Sequence, residues 1–330
     1  MGRSAAIGTL LALVLVAAAC AEPPGSDAGQ GADAPVVAAV GDIACNSLPS
    51  EHDRRCKYDL VAETVREIGP DAFLALGDLQ YLHGSAEDFE AFYDRFFADL
   101  KPITYPAIGN HETYTLYGAG YYGYFGKRAG PPGGWYSFDL GSWHLVSLNS
   151  QLCKGSTWTP ALGQRAPITR SSAIDHGCGP GTPEYEWLKR DLVTHPAACT
   201  LAYMHHPLFG SEPYPQGVLL LQLQPLYELL DTSGVDVVLA GHEHNYQRFA
   251  PMDAFGRADP NGLRLFVVGT GGSTYSELPQ GVSAANREAG QDRSFGALKL
   301  TLLDGGYDFE FSTAPGERAF EDSGHADCVA

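Results

Sequence analysis

Short apolar runs recur along the chain from residue 36 onward, and each stops at or next to a polar residue that can bind a metal ion. The runs cover residues 36–40, 72–76, 103–108, 199–204 and 235–240. Runs of this length without alternation are typical of strands that are buried on both faces. The residues that follow them are Asp42, Asp78, Asn110, His205 and His242.

Helical patterns separate several of these runs. They cover residues 58–68, 87–97, 183–194 and 224–231. Strands that alternate with helices predict an α/β fold with a largely parallel sheet. Ligands of such sheets bind at the carboxyl ends of the strands, where the five polar residues lie.

The C-terminal third changes character. We expect strands at 263–268, 297–303 and 307–312, and a second sheet built from them that packs on the first. Residues 114–135 are rich in Tyr and Gly, and we expect a loop there that packs over the rim of the site or forms a substrate wall.

The first twenty residues have the pattern of a signal peptide. Arg3 precedes an apolar run at 7–16 and three alanines at 17–19. Cys20 then resembles the site at which bacterial lipoproteins are cleaved and lipidated, with ordinary signal cleavage as the alternative. We expect a signal peptide at 1–20, a flexible linker rich in Pro, Gly and Ala at 21–35, and one folded domain at 36–330.

Six cysteines remain after Cys20, and an even number in an exported chain predicts three disulfides. Six cysteines permit about 15 pairings. Closeness in sequence favours Cys45 with Cys56 and Cys153 with Cys178, which leaves Cys199 with Cys328.

The chain is strongly acidic. It has 39 Asp and Glu against 21 Lys and Arg, a formal net charge of −18. Such a field repels polyanions, so we expect no nucleic-acid partner. A small phosphate ester stays compatible with this charge, because bound cations reverse the sign locally.

The polar residues at the strand ends offer the ligands of a two-metal site. Two cations about 3.5–4 Å apart can clamp the attacking and leaving oxygens of a phosphoryl transfer. Imidazole suits Zn or Fe, and carboxylate or amide oxygen suits harder ions. Each residue alone has an ordinary explanation, such as a turn-forming Asp or a core His. Their joint position at strand ends favours a metal site.

Five motifs occur in a fixed order: GDIA, GDLQY, GNHE, the HHP of residues 205–207, and GHEHNYQR. Together they resemble the five blocks of the calcineurin-like metallophosphoesterases, and the later FVVGTGG resembles the glycine-rich strand end that often follows them. The resemblance implies a four-layer α-β-β-α sandwich with two mixed β-sheets, with residues 36–330 as its catalytic domain.

Two departures from the common motifs narrow the resemblance to one group of this superfamily. Most members carry a metal-binding His two residues after the first Asp, where this chain has Ala44, and Tyr81 follows Asp78 by three residues. That pattern is similar to the purple acid phosphatases, in which a phenolate, a hard donor, favours Fe(III). The implied cofactors are two metal ions, Fe(III) and a divalent Fe, Zn or Mn.

The resemblance also implies roles for single residues. The first metal would take Asp42, Tyr81 and His244; the second would take Asn110, His205 and His242; Asp78 would bridge them and serve catalysis. His111 resembles the residue that orients the phosphate or assists the leaving group, with core packing as the alternative. His206 occupies a variable position, and either contacts substrate or fills the rim.

We therefore expect an exported, acid phosphatase-like hydrolase in which a metal-activated hydroxide attacks a phosphate monoester. A phosphodiesterase on the same site is the alternative, since pocket loops decide specificity. A non-catalytic, lipid-anchored phosphate-binding protein is a further alternative, but it would be expected to lack a ligand. We expect a cell-surface lipoprotein or a secreted protein whose only membrane contact is a lipid on Cys20.

Overall fold

The computed structural model describes residues 1–2, 34–50, 55–154, 156–159, 164–167, 177–210, 217–278 and 286–329. The chain divides into two units, Met1–Asp33 and Ala34–Ala330. Residues 3–20 of the predicted signal peptide, including Cys20, and most of the predicted linker lie outside the described residues, so both segments stay predictions. The second unit holds all elements named below.

The strands are, in chain order, β1 (Val36–Val40), β2 (Ala72–Leu76), β3 (Thr104–Ala107), β4 (Tyr136–Leu140), β5 (Trp143–Ser147), β6 (Ser156–Thr159), β7 (Gln164–Pro167), β8 (Cys199–Met204), β9 (Val237–Ala240), β10 (Tyr246–Phe249), β11 (Arg264–Val268), β12 (Arg287–Gln291), β13 (Gly296–Leu303), β14 (Gly306–Thr313) and β15 (Ser323–Asp327). The α-helices are α1 (Tyr58–Ile68), α2 (Ala86–Asp88), α3 (Asp94–Phe97), α4 (Ala119–Phe125), α5 (Pro183–Thr194) and α6 (Gly217–Thr232). A π-helical turn, Phe89–Tyr93, joins α2 to α3. Among the described helices, none combines the length and apolar composition that a bilayer crossing requires.

Two mixed sheets form the centre of the second unit. The first has the order β15-β14-β13-β1-β2-β3, with β1, β2 and β3 parallel. The second has the order β12-β10-β11-β9-β8-β5-β4, with β5, β8, β9 and β11 parallel. This arrangement confirms the expected pair of mixed sheets. Strands β6 and β7 form a separate antiparallel pair.

Strand β8 shows why the apolar runs do not alternate. Leu201 and Tyr203 pack into the core between the two sheets, whereas Ala202 and Met204 pack into the core that includes Leu226 of α6. Both faces of the strand are therefore buried, and both need apolar side chains.

The assignment of strands to sheets was partly wrong. The predicted metal-binding strands do not share one sheet: β1, β2 and β3 lie in the first sheet, and β8 and β9 lie in the second. The three C-terminal strands are also divided, since β11 pairs with β9 whereas β13 and β14 extend the first sheet from β1. Apolar patterns identify strands but not their partners, which decide the sheet.

Residues 114–135 are not a plain loop, contrary to the prediction. They contain α4, whose Tyr121 and Phe125 are buried. The Phe125 ring lies 5.7 Å from that of Phe89 and 5.9 Å from that of Tyr93. The aromatic residues of α4 therefore fasten this part of the segment to the π-helical turn.

All three predicted disulfides are present. The bonded pairs are Cys45–Cys56, Cys153–Cys178 and Cys199–Cys328, with Cα–Cα distances of 6.1, 5.0 and 5.6 Å. These distances lie inside the usual range for disulfides. The third bond ties the segment after β15 to the start of β8.

A buried histidine joins β5 to α5. His144 Nδ1 lies 2.7 Å from Asp139 Oδ1, and His144 Nε2 lies 2.9 Å from Asp191 Oδ2. Burial lowers the pKa of His144, but the carboxylates of Asp191 and Asp139 raise it above its ordinary value of 6.5. The folded protein therefore holds this proton more tightly than the unfolded chain does.

The raised pKa of His144 predicts that the stability of the fold depends on pH. A histidine whose pKa is higher in the folded than in the unfolded chain stabilises the fold fully at pH values below its unfolded-state pKa of about 6.5. This stabilisation is lost as the pH rises through the higher pKa of the folded state. We expect the Tm of the native protein to fall above neutral pH, and His144→Gln to lower the Tm in acid and to flatten this dependence. Thermal unfolding followed by circular dichroism over a pH series measures both.

An exposed histidine offers the control. His325 also lies between two carboxylates, Asp308 and Asp327, but its side chain is 52% exposed. His325→Gln should change the profile little, because solvent screens exposed pairs. An unchanged pH profile in His144→Gln would show that the buried proton contributes nothing.

Candidate metal centre

The carboxyl ends of β1, β2 and β9 bend sharply at three of the predicted ligands. Asp42, Asp78 and His242 adopt left-handed backbone conformations, with φ of 63°, 49° and 71°. Asp and His are among the non-glycine residues that tolerate this region, and strained residues of this kind cluster at functional sites. The Asp42 N–H donates to the Gly77 carbonyl at 3.0 Å, so the two loops stay paired beyond their strands.

Four side-chain atoms converge on one side of the centre. Tyr81 Oη lies 2.9 Å from Asp42 Oδ1 and 2.9 Å from His244 Nε2. His244 Nε2 lies 3.2 Å from Asp42 Oδ1. Asp78 Oδ2 lies 3.3 Å from Tyr81 Oη. We call these four atoms the first set.

A second set of atoms surrounds His205. Its Nε2 lies 3.2 Å from Asn110 Oδ1, 3.2 Å from His242 Nδ1 and 3.2 Å from Asp78 Oδ2. Asp78 Oδ2 thus belongs to both sets. The structure brings together all seven residues that the motifs selected.

The donor atoms of both sets fit a metal ion. Ligands that surround one ion at about 2.0–2.2 Å and at right angles lie about 3 Å from one another. His205 Nδ1 lies 2.9 Å from the Leu76 carbonyl, which can only accept, so Nδ1 carries the proton. His205 Nε2 then faces the oxygens of Asn110 and Asp78, a place that either a proton on Nε2 or a metal ion can occupy.

Backbone and side-chain hydrogen bonds aim the ligands. Asp42 Oδ2 accepts from the His242 N–H at 2.7 Å, and Asp78 Oδ1 accepts from the His111 N–H at 2.8 Å, so each carboxylate keeps its other oxygen for the centre. His244 Nδ1 lies 2.7 Å from Thr274 Oγ1 and 3.1 Å from the Thr274 carbonyl. Such outer contacts fix the orientation of a ligand ring.

The centre favours positive charge. Burial lowers the pKa of His205, yet Asp78 and Asp42 raise it to about 9. Burial raises the pKa of Asp78, but His205 and His111 hold it well below its usual range. Burial together with Asp42 and Asp78 raises the pKa of Tyr81 far above its ordinary value. Without a cation, the Tyr81 phenol therefore keeps its proton.

Tyr81 stands next to the position at which the expected histidine is missing. The Tyr81 N–H donates to the Ala44 carbonyl at 2.8 Å, and both residues are buried. The small side chain of Ala44 offers no ligand, and Tyr81 Oη instead contacts Asp42 and His244. The two departures from the common motif therefore occur at one place.

The two histidines that the sequence motifs did not select as ligands, His111 and His206, differ in exposure. The His111 side chain is 19% exposed; its Nδ1 lies 2.6 Å from the Leu82 carbonyl and its Nε2 lies 3.7 Å from Asp78 Oδ2. His206 is buried, with Nδ1 2.9 Å from Ser150 Oγ, and its ring lies 4.4 Å from that of His242. His111 is thus partly open to solvent, whereas His206 packs against the rings of His205 and His242 in the second set.

Glu112 supports the centre and was not selected from the sequence, although the GNHE motif contains it. Its buried carboxylate accepts from four N–H groups, those of Asp78, Leu79, Gln80 and Gly109, at 2.8–3.2 Å. Burial and the charge of Asp78 raise the pKa of Glu112 to about 7, against the lowering effects of His205 and the N–H donors. One side chain therefore holds the loops that carry Asp78 and Asn110.

Glu112→Gln is expected to destabilise the fold and to weaken metal binding. The amide keeps the size, but its NH2 group would face N–H donors, which costs about 1–3 kcal/mol for each buried group left without a partner. Denaturant unfolding of the metal-free protein measures the loss. Glu90→Gln makes the same change on an exposed carboxylate and should alter little. Equal stability of the two variants would refute the supporting role.

Comparison with known proteins agrees with this geometry. The chain matches the model of the calcineurin-like phosphoesterase family over residues 35–246. It is 27% identical over 265 residues to purple acid phosphatase 21 of Arabidopsis thaliana. The aligned region covers 73% of this chain and 53% of that protein. It is also 27% identical over 255 residues to tartrate-resistant acid phosphatase type 5 of Homo sapiens, and this aligned region covers 66% of this chain and 75% of that protein.

Among solved structures, a purple acid phosphatase from seeds of yellow lupin (Lupinus luteus) superposes with a TM-score of 0.64 at 20% identity, covering 90% of this chain and 54% of the lupin chain. This likeness shows the fold. The chain spans about half the length of the lupin protein and of purple acid phosphatase 21. The family match covers well over half of the 330 residues and includes all seven converging side chains. The chain therefore belongs to the calcineurin-like phosphoesterase family, as a member similar to the purple acid phosphatases.

Proposed function

We propose that this protein is an exported phosphatase that hydrolyses phosphate monoesters at a centre of two metal ions. One observation carries the proposal: Asp78 Oδ2 lies 3.3 Å from Tyr81 Oη in one set of donor atoms and 3.2 Å from His205 Nε2 in the other. A single oxygen shared by two sets of ligands is what a bridged pair of ions requires.

The ligand chemistry differs between the two sets. The first set contains two carboxylates and a phenol, which suit Fe(III), and the second contains two imidazoles and an amide, which suit a divalent Fe, Zn or Mn ion. When bound, such ions lower the pKa of water and neutralise phosphoryl oxygens. The chain itself contributes Asp78. Its Oδ1 accepts a hydrogen bond from the His111 N–H, which keeps the shared Oδ2 directed at the centre.

His111 is placed to act on the substrate. Its Nδ1–H donates to the Leu82 carbonyl, which turns Nε2 toward the centre. When protonated, Nε2 can donate to a phosphoryl oxygen or to the oxygen of the leaving group. His206 is buried beside the second set, with a ring nitrogen within 4.8 Å of ligand atoms of His205 and His242, and we assign it a role in shaping the centre.

The proposed substrate class rests on the names of the relatives, which are acid phosphatases. The test is the hydrolysis of 4-nitrophenyl phosphate against bis(4-nitrophenyl) phosphate by the purified, metal-loaded protein. We expect a higher kcat/KM for the monoester. A preference for the diester would make the protein a phosphodiesterase. Metal and phosphate binding without turnover of either ester would make it a non-catalytic phosphate-binding protein.

We also propose that the mature protein is attached to a membrane through a lipid on Cys20. The apolar leader ending in three alanines supports this, and three disulfides fit an oxidising compartment. Intact-mass analysis of the mature protein is expected to give a chain that begins at Cys20 and carries an acyl increment. A mature chain that begins elsewhere without that increment would leave a secreted protein.

A further inference from the structure

Exposed apolar side chains lie on two backbone segments, one that contacts His111 and one that follows it in the chain. Leu82, Leu116 and Tyr117 are 47%, 62% and 64% exposed. The Leu82 carbonyl accepts from His111 Nδ1, and the ring of Tyr114 lies 4.8 Å from that of His111. We call Leu82, Tyr114, Leu116 and Tyr117 the apolar rim.

Backbone packing joins the two segments of the rim. A Cβ on Gly84 would lie 2.7 Å from Glu112 Cα, and a Cβ on Gly120 would lie 2.0 Å from the Gly84 carbonyl oxygen. Only glycine permits such close approach. The segment that carries Leu82 therefore lies directly against the segment that carries Tyr114, Leu116 and Tyr117.

The rim is held in place although its exposure is unfavourable. Tyr117 has a left-handed backbone, with φ of 55°, which is uncommon for a residue with a bulky side chain. The next residue is fixed, because the Gly118 N–H donates to the Thr115 carbonyl at 3.1 Å, and Thr115 Oγ1 donates to the Glu112 carbonyl at 3.0 Å. A group of exposed apolar side chains, one of them on an unusual backbone, favours a binding role for this surface.

We propose that the apolar rim binds the leaving group, and that the preferred substrates are phosphate monoesters of apolar alcohols. This inference rests on the proposed function. With the phosphoryl group at the metal centre, the leaving oxygen faces His111, and a hydrocarbon group attached to that oxygen extends over Tyr114 and Leu82. Polar alcohols such as sugars would leave this surface in contact with water and gain little from it.

A series of unbranched alkyl phosphates from ethyl to octyl tests the proposal, because the chemistry of the leaving oxygen stays nearly constant while the apolar surface grows. Full burial of a methylene is equivalent to about fourfold in affinity, so half burial against a rim should give about twofold in kcat/KM for each methylene. The combined variant Leu82→Ser, Leu116→Ser and Tyr117→Asn should flatten this dependence. Asn is chosen at 117 because it tolerates a left-handed backbone.

A matched control removes exposed apolar side chains elsewhere. Val193 and Phe255 are 77% and 59% exposed. The variant Val193→Ser, Phe255→Ser should keep the dependence on chain length. An active protein with equal kcat/KM for all chain lengths, or with the same dependence in the rim variant, would overturn the rim proposal and leave the proposed function intact.

Binding without turnover separates the two proposals further. Calorimetric titration of the metal-loaded protein with alkylphosphonates should give a heat-capacity change that becomes more negative with chain length, relative to inorganic phosphate. If this trend appears while no ester is hydrolysed, the rim binds the apolar group of a phosphate ligand, but the proposed function fails and the assignment of a leaving group fails with it. A heat-capacity change that is independent of chain length counts against the rim, and supports instead a surface that meets another macromolecule.

Discussion

Asp78→Ala is expected to remove both metal ions and to reduce turnover to background. Asp78 Oδ2 lies within 3.3 Å of donors in both sets, so its loss takes a ligand from each ion. It also removes the negative charge between two cations, whose mutual repulsion is then uncompensated. Elemental analysis of the purified variant and its hydrolysis of 4-nitrophenyl phosphate measure the two effects.

His111→Ala is the matched control for Asp78→Ala. His111 Nε2 lies only 3.7 Å from Asp78 Oδ2, but His111 is not among the proposed ligands. The variant should therefore keep two equivalents of metal while losing about 10²–10⁴-fold in turnover, as expected for an acid–base group. Two full equivalents of metal in Asp78→Ala would show that the ligands have been wrongly assigned.

Tyr81→Phe is expected to bleach the protein. A phenolate bound to Fe(III) absorbs visible light by charge transfer, and Phe keeps the ring, including its contact with His111 at 4.2 Å, but lacks the oxygen. The first set would lose a donor that lies 2.9 Å from both Asp42 Oδ1 and His244 Nε2. We expect iron affinity to fall at least about 100-fold, since even residues that only orient a ligand cost 10–100-fold.

Absorption spectra and iron content of the oxidised proteins test this, with Tyr114→Phe as the control. Tyr114 also contacts the His111 ring, at 4.8 Å, and belongs to neither set of donor atoms. Its variant should keep the band. A band that survives Tyr81→Phe, or an iron-loaded native protein without one, would indicate a divalent-metal centre in which Tyr81 only packs.

The strand ends were predictable because burial on both faces leaves a strong sequence pattern. Five apolar runs are strands within one or two residues of the predicted bounds, and α1 and α5 have the predicted bounds. The third run begins later, because residues Lys101–Ile103 form a 3-10 turn before Thr104. Which strands pair with one another was not predictable in the same way. The local sequence of residues 297–303 does not show that they pair with β1, which lies more than 250 residues earlier.

The candidate ligands were predictable from motif order, but their orientation was not. The carbonyl of Leu76 and the side chain of Thr274 set the rings of His205 and His244, and neither residue looks functional in the sequence. Glu112 was missed because its four hydrogen bonds go to backbone groups, which carry no sequence signature. Positions that act through the backbone require the fold to be known.

The placement of β1 has a consequence for how the chain acquires its structure. Strand β1 lies between β13 and β2: Val36 pairs with Thr301 of β13, and Val37 pairs with Ala72 of β2. The β2 side can form early in synthesis, whereas the β13 edge stays open until nearly the whole chain has been made. Contacts so distant in sequence slow folding, and an open apolar strand edge invites association with other chains. A chain truncated before residue 296 would keep every proposed ligand and still lack the strand that closes this edge, so we expect it to aggregate rather than to form a smaller enzyme.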